Sequence, residues 1–291
     1  MKNVLMLAAA TIALTASAQQ FSRMKSADAM TFPPASVTLG GIMVSNENWT
    51  ESEGAGVYTL QARPDGKVVC QQRITGMANT AAALYRGNVM YAVEASLSEG
   101  FHYLTYSTSS WSAGTRQEID VVNVPSDLTF DELSGMVYGG FWDEDYGGYS
   151  RFASFSVSTA EATDIKNANR DERDIFAIAA DDKGTIYALF GAYNYLVTLN
   201  PRTGAAERIG RTGLNPVNSM AQGRLASMCY DKANERLLAA VYQEDGYGAG
   251  KKRWSGLYEI NPSTGETTEL YRFDGNASIA GLYVADDAPE T

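Results

Sequence analysis

One phrase recurs along this chain and limits what it can fold into. Its fullest form runs from Arg224 to Phe273, RLASMCYDKANERLLAAVYQEDGYGAGKKRWSGLYEINPSTGETTELYRF. Leu225–Tyr230 and Arg236–Tyr242 are apolar, β-prone runs broken by Asp231-Lys232-Ala233-Asn234. Gly256–Ile260 and Thr267–Tyr271 flank Asn261-Pro262-Ser263-Thr264-Gly265. Proline pre-sets φ in such a turn and glycine accepts positive φ, so each pair of runs reads as a hairpin. The unit is therefore two hairpins in series.

Earlier stretches repeat it. Val57–Ala62 pairs with Lys67–Arg73 over Arg63–Gly66, and Ala81–Tyr85 with Asn88–Ala95 over Arg86-Gly87. His102–Ser107 precedes Gln117–Val122, Leu128–Phe130 precedes Gly135–Phe141, and Phe152–Ser156 precedes Ala162–Ile165. Phe176–Ala180 and Thr185–Phe190 flank Asp181–Gly184, and Tyr195–Leu199 and Ala206–Ile209 flank Asn200–Gly204. The third strands start near Val57, His102, Phe152, Tyr195 and Leu257, at intervals of 45, 50, 43 and 62 residues. A four-strand unit of about 40–50 residues is the signature of a β-propeller blade. Insertions at Thr212–Gln222 and Gly246–Arg253 account for the long last interval. The last unit has one strand after its hairpin, Ser278–Val284, and the first has one before its hairpin, Ser36–Val44. Paired, they complete a blade and remove an exposed edge. The expectation is an all-β, five-bladed β-propeller, closed by the N-terminal strand beside the C-terminal one. A sixth blade would need a divergent unit that the sequence does not contain.

The wording of two repeats, IYALFGAYNYLVTLNPRTGAAERIG and LYEINPSTGETTEL, resembles exported bacterial β-propellers of the NHL/YVTN-like kind. The resemblance covers most of the chain after its first residues. It implies the fold and little about function, because sugar-binding, protein-binding, enzymatic and scaffolding members share these repeats.

Lys2, the apolar Val4–Leu14 and the small-residue site Ala16-Ser17-Ala18 read as a signal peptide over residues 1–18. That predicts export to the periplasm, the cell surface or the medium. Residues 19–35 read as a lead-in, 36–284 as the propeller, and 285–291 as an acidic tail or the start of a linker. The apolar run near the start is too short to span a membrane, so no membrane insertion is expected. Asp and Glu outnumber Lys and Arg by 34 to 23, a formal net charge of −11. That leaves no basic surplus for nucleic acid. Cys70 and Cys229 fall in strands of different repeats, which predicts buried free thiols, not a disulfide. A monomer is expected.

Strand order divides the loops between two faces. First-to-second and third-to-fourth turns lie on one face and are tight. Second-to-third loops and blade-to-blade crossovers lie on the other and are longer, varied and aromatic. Binding residues concentrate on such loops. The candidate ligand-binding residues are therefore Trp49, Trp142, Asp143, Asp145, Tyr146, Tyr193, Tyr247 and Trp254 on the second-to-third loops. Asn79, Asn218 and Asn276 join them on the crossovers, with Asp127 and Asp174 also at the channel mouth. Aromatic faces with amides and carboxylates suit a saccharide, and equally a protein surface. The bland reading makes the asparagines turn formers and the aromatics edge covers.

Trp142-Asp143-Glu144-Asp145 offers clustered carboxylates to Ca²⁺ but lacks a ligand spacing, so a solvated acidic loop is the better reading. No metal or cofactor is otherwise implied. His102 is the only histidine, which excludes a multi-histidine zinc site; it reads as a satisfied or exposed structural residue. The leading reading is a non-catalytic module that binds a glycan or protein surface. The alternatives are a glycoside hydrolase or lyase using Asp127, Asp174 and Glu94 at the channel, and a structural spacer in a larger surface protein.

Overall fold

A computed structural model describes residues 38–44, 56–61, 68–73, 80–96, 99–145, 148–165, 174–191, 194–219, 223–224, 226–245, 250, 252–273 and 278–285. Five four-stranded antiparallel sheets form the blades of a five-bladed β-propeller. The first blade contains β1 (Thr38–Val44), β2 (Gly56–Gln61) and β3 (Val68–Arg73). The second contains β4 (Thr80–Arg86), β5 (Val89–Ser96), β6 (Gly100–Ser107) and β7 (Gln117–Glu118). The third contains β8 (Pro125–Asp131), β9 (Met136–Asp143), β10 (Gly148–Ser156) and β11 (Glu161–Asp164). The fourth contains β12 (Ile175–Ala180), β13 (Ile186–Phe190), β14 (Tyr195–Leu199) and β15 (Ala206–Arg211). A two-stranded ribbon, β16 (Asn218–Ser219) and β17 (Gly223–Arg224), leads into the fifth. That blade contains β18 (Ala226–Asp231), β19 (Arg236–Asp245), β20 (Lys252–Ile260) and β21 (Thr267–Phe273).

The ring closes as the sequence predicts. The final strand, β22 (Ser278–Val284), pairs antiparallel with β1, from Leu39 opposite Val284 to Val44 opposite Ser278. The closing blade therefore runs β22-β1-β2-β3. Strands β22, β4, β8, β12 and β18 pack side by side around the axis. Each blade is buried on both faces by its neighbours, so middle strands read as continuous apolar runs without alternation. In β19 every residue from Arg236 to Gln243 is buried.

Apolar side chains fill the blade junctions. Leu39 and Leu60 meet Leu238, Leu257 and Leu270 between the first and fifth blades. Leu189 and Leu196 meet Met228, Leu237 and Tyr258 between the fourth and fifth. Val93 and Tyr103 meet Val137, Phe141 and Phe155 between the second and third. Phe152 meets Ile178, Ile186 and Val197 between the third and fourth. At the junction of the first and second blades, Met90, Leu104 and Tyr106 form a smaller cluster against Tyr283.

The turn chemistry is as expected. Asn200 Oδ1 accepts from the backbone N–H of Arg202 and Thr203, at 2.9 and 3.1 Å, and Gly204 closes the turn at φ +69°. Asn261 repeats this with Ser263 and Thr264, and Gly265 sits at φ +74°. Asp131 and Asp231 end their innermost strands, Asp181 follows its own, and each accepts the turn's N–H groups.

Several local expectations are corrected. The strand expected over Gln117–Val122 stops at Glu118, and Val121–Asn123 forms a 3₁₀ turn. There the crossover into β8 overrides the β propensity of two valines. Thr212–Gln222 is not a simple insertion. Leu214 is fully buried, Val217 N–H bonds Tyr242 O at 2.8 Å, and Asn215 N–H bonds Gln243 Oε1 at 2.8 Å. Of the expected Gly246–Arg253 insertion, Lys252 and Arg253 belong to the hairpin, in register with Asp245 and Glu244, and residues 246–249 and 251 lie outside the described residues. Cys229, expected to be buried, is only half-buried.

Candidate functional site

The innermost strands decide what the channel can do. Asp127 was expected on a crossover at the channel mouth; it lies inside β8 and is 1% exposed. Its Oδ2 accepts the N–H of Ile178 in β12 at 3.1 Å and of Met228 in β18 at 3.0 Å. Its Oδ1 accepts the Ser227 hydroxyl at 2.9 Å, and Ser227 Oγ accepts the N–H of Leu282 in β22 at 2.9 Å. One carboxyl thus ties together four of the five innermost strands. Burial pushes its pKa up to about 7, against the opposing pull of the Ile178 and Met228 N–H groups and the Ser227 hydroxyl. Thr129 Oγ1 adds a bond from the Ala180 N–H at 2.8 Å. Both oxygens of Asp127 accept hydrogen bonds from the scaffold, which is a structural arrangement.

The opposite result appears at the loop end of the second blade. Thr80, Glu94, His102 and Glu118 are consecutive cross-strand partners over β4, β5, β6 and β7. Paired residues in an antiparallel sheet point to the same face, so the four form one transverse polar row. Glu94, a candidate channel carboxylate, lies in this row and is 2% exposed. The Tyr106 hydroxyl donates to Glu94 Oε1 at 3.4 Å, and Arg116 Nε lies 3.2 Å from Oε2. Arg116 Nη2 also reaches Glu99 Oε2 at 3.0 Å. Burial, and then the charge of Glu94, hold the Tyr106 phenol above its ordinary pKa, so it stays a neutral donor. Two members of the row are not satisfied. Thr80 Oγ1 and His102 Nδ1 are buried with no hydrogen-bond partner. The expectation of a satisfied or exposed histidine is therefore wrong.

Of the eleven candidate binding residues, four have described side chains. Trp142 and Asp143 were expected in a loop and are the last residues of β9, both half-buried. Arg151 anchors them, donating from Nη1 to Trp142 O at 3.1 Å and Val122 O at 2.9 Å, and from Nε to Asp164 Oδ1 at 2.8 Å. Asp145 is exposed, and its N–H donates to Asp143 Oδ1 at 3.0 Å. Trp254 lies in β20 and is built into its blade. Its indole N–H donates to the Tyr258 hydroxyl at 2.9 Å, and the Arg272 guanidinium sits 4.8 Å from its ring centroid. Tyr258 in turn donates to Glu269 Oε2 at 3.1 Å. Asn218 falls in β16, where only its backbone is described. Trp49, Asn79, Tyr146, Tyr193, Tyr247 and Asn276 lie outside the described residues.

The sequence reading missed Arg116, Gln243 and the pairing of Glu94 with His102. Gln243 is 1% exposed, and its Oε1 accepts the Asn215 N–H at 2.8 Å. The pairing had a signal. A short loop between β5 and β6 places Glu94 opposite His102 once the hairpin register is counted out. Among the described residues, no three of His, Cys, Asp and Glu converge as metal ligands, and no helix is long and apolar enough to cross a membrane.

One solved structure among those compared shares the architecture. One chain of a nidogen/laminin complex superposes with a TM-score of 0.51 at 11% identity, over 86% of this chain and 98% of that one. TolB from Acinetobacter baumannii reaches a TM-score of 0.48 at 10% identity, over 82% of this chain and 54% of that one. At such identity the first likeness shows the fold alone. No protein-family model matches the sequence, and neither does any curated protein.

Proposed function

We propose that this chain is an exported, non-catalytic binding module that meets a protein surface with its loop face. The fold is consistent with a binding or scaffold role. The observation that carries the finer reading is the asymmetry of its two faces. On one face, Asn200–Gly204 and Asn261–Gly265 close in tight, self-bonded turns. On the other, β9 and β19 run on to Asp143 and Asp245, ending in the half-buried Trp142 and Asp143 and the exposed Asp245. A protein partner fits better than a glycan, because Trp254 has its N–H engaged and a guanidinium over its ring, where sugar stacking needs a bare face. Asp127 supports a non-catalytic role, since the channel carboxyl is spent on holding strands together. The NHL/YVTN-like wording and the leader over residues 1–18 support export to the periplasm, the surface or the medium.

A photo-crosslinking residue at Asp145 is expected to capture a protein in the native host, while one at Leu133 on the turn face captures none. Leu133 is 70% exposed, so accessibility favours the control. Glu144→Arg, at the exposed neighbouring position, should weaken capture from the Asp145 position about tenfold and change stability by less than about 0.5 kcal/mol, as for most exposed positions. Capture from Leu133 alone, or a melting-temperature rise with a glycan that Glu144→Arg abolishes, would reject this reading.

A further inference from the structure

We infer that the polar row of the second blade is a binding site for a primary ammonium group, with Glu94 as its counter-ion and Thr80 and His102 as flanking acceptors. The inference rests on the loop face being the working face and adds the chemistry it accepts.

Glu94 is a buried carboxylate with an incomplete partner. Arg116 meets it through Nε alone, and the Arg116 side chain is 39% exposed. The second Arg116 contact goes to Glu99, whose side chain is 59% exposed. The other oxygen, Oε1, has only the long bond from Tyr106. On the two neighbouring strands, Thr80 Oγ1 and His102 Nδ1 are buried and unpartnered. Thr80 as a whole is 3% exposed, so no outward rotation rescues its hydroxyl. Direct cross-strand neighbours have Cβ atoms about 5 Å apart, so Thr80 and His102 each stand one strand step from Glu94, on either side of it. Buried polar atoms are ordinarily paired, and an exception calls for a missing partner.

The acceptor set selects the partner. A carboxylate oxygen, a hydroxyl oxygen and an imidazole nitrogen match the three N–H donors of an ammonium. An anion is repelled by Glu94. A neutral hydroxyl leaves the carboxylate charge half-covered. A transition metal needs more imidazole or carboxylate ligands than converge here among the described residues. Arg116 then acts as the resident competitor: an arriving ammonium takes Glu94, and the guanidinium keeps its contact with Glu99.

The chain contains one histidine, so the imidazole proton spectrum is a single-site reporter at this row. The purified chain is titrated at constant pH and ionic strength with n-butylamine and with Nα-acetyl-lysine methylamide. n-Butanol, tetramethylammonium and zinc chloride are the controls. Both amines should move the His102 signal saturably, and the controls should not. Glu94→Gln should weaken the amines about tenfold, the loss of one charge-assisted bond. Arg116→Gln should tighten them. Thr80→Val keeps the shape and carries the test if Glu94→Gln does not fold. It should weaken the amines about fivefold while raising the melting temperature, because it deletes an unpartnered buried hydroxyl. A tighter response to the lysine derivative assigns the ammonium to a protein side chain, and an equal response assigns it to a free amine. No saturable shift, an undiminished shift in both Glu94→Gln and Thr80→Val, or a response to zinc in place of amines overturns the inference. So does a fall in melting temperature for Thr80→Val, which would mean an ordered water completes the row. Silence from the amines with crosslinking from Asp145 intact rejects only the ammonium site. Silence in both rejects the loop face.

Discussion

Replacing Asp127 by alanine is expected to lower the stability of the fold by about 3 kcal/mol or more, because it strands three buried donors at once. The Ile178 and Met228 N–H groups and the Ser227 hydroxyl all end on this carboxyl, in strands that share no sheet with it. The loss should appear as a lower urea midpoint. Asp127→Asn is the informative companion. Its amide oxygen can take the two N–H groups, and its nitrogen would face Ser227, whose own hydrogen must then turn elsewhere, at a cost of about 1 kcal/mol. The two proteins should also differ in pH response. Burial raises the folded pKa of Asp127 from 3.8 to about 7, so between those values the folded state holds more proton than the unfolded one. Stability from this group is present below about pH 4 and is lost as pH rises to about 7. The advantage of the wild-type chain over Asp127→Asn should therefore shrink across that window, by at most about 1.4 kcal/mol per pH unit. A constant difference from pH 4 to pH 8 would show that Asp127 keeps one charge state throughout.

Deleting residues 36–44 should abolish cooperative folding. β1 is not an edge. It lies between β22 and β2, so its loss separates the innermost strand of the closing blade from the outer hairpin. The same closure can be strained at a single position. Gly281 has φ +59°, and a Cβ there would lie 2.6 Å from Ala83 Cβ and 2.9 Å from Ala83 O. Gly281→Ala meets both a left-handed backbone penalty and overpacking against a neighbouring strand, together about 3 kcal/mol. Gly40→Ala probes the partner strand, since its Cβ would overlap the Tyr283 ring, which stacks on Tyr85 at 4.3 Å. Thermal melting checks the series. A deletion variant that melts in one sharp transition near the parent would show that the remaining blades hold the ring without closure.

The architecture was legible because its determinants are local and repeated. Asn-Pro-Arg-Thr-Gly and Asn-Pro-Ser-Thr-Gly specify the same turn twice, and continuous runs such as Leu237–Val241 mark strands buried on both sides. The site was legible only where it followed strand order. Asp127 was misplaced because Ser126-Asp127-Leu128-Thr129 does not alternate as a strand should. Its polar groups bond across blade junctions, and one chain's pattern does not reveal partners 51 and 101 residues away. Arg116 was invisible for another reason. The chain leaves β6 at Ser107, touches it again at Ala113 and Gly114 and resumes as a strand at Gln117, and no periodicity says where such an excursion lays its last residue. Trp142 and Trp254 were recognised by type, yet their environments come from Arg151 and Arg272, which nothing in the loop composition singled out.

Closure between the first and last strands also sets the order of events in folding. Leu39 pairs with Val284, so these contacts span nearly the whole described chain. Each interior blade joins neighbours in sequence and can zip as it emerges. β1 must wait, paired on one side with β2 and open on the other, until β22 has been made. Contacts of such sequence separation carry the largest loop-closure entropy, and topologies that depend on them fold slowly. The rate at which the ring becomes a single cooperative object is thus set by the meeting of two short strands from opposite ends, with four finished blades already holding them near one another.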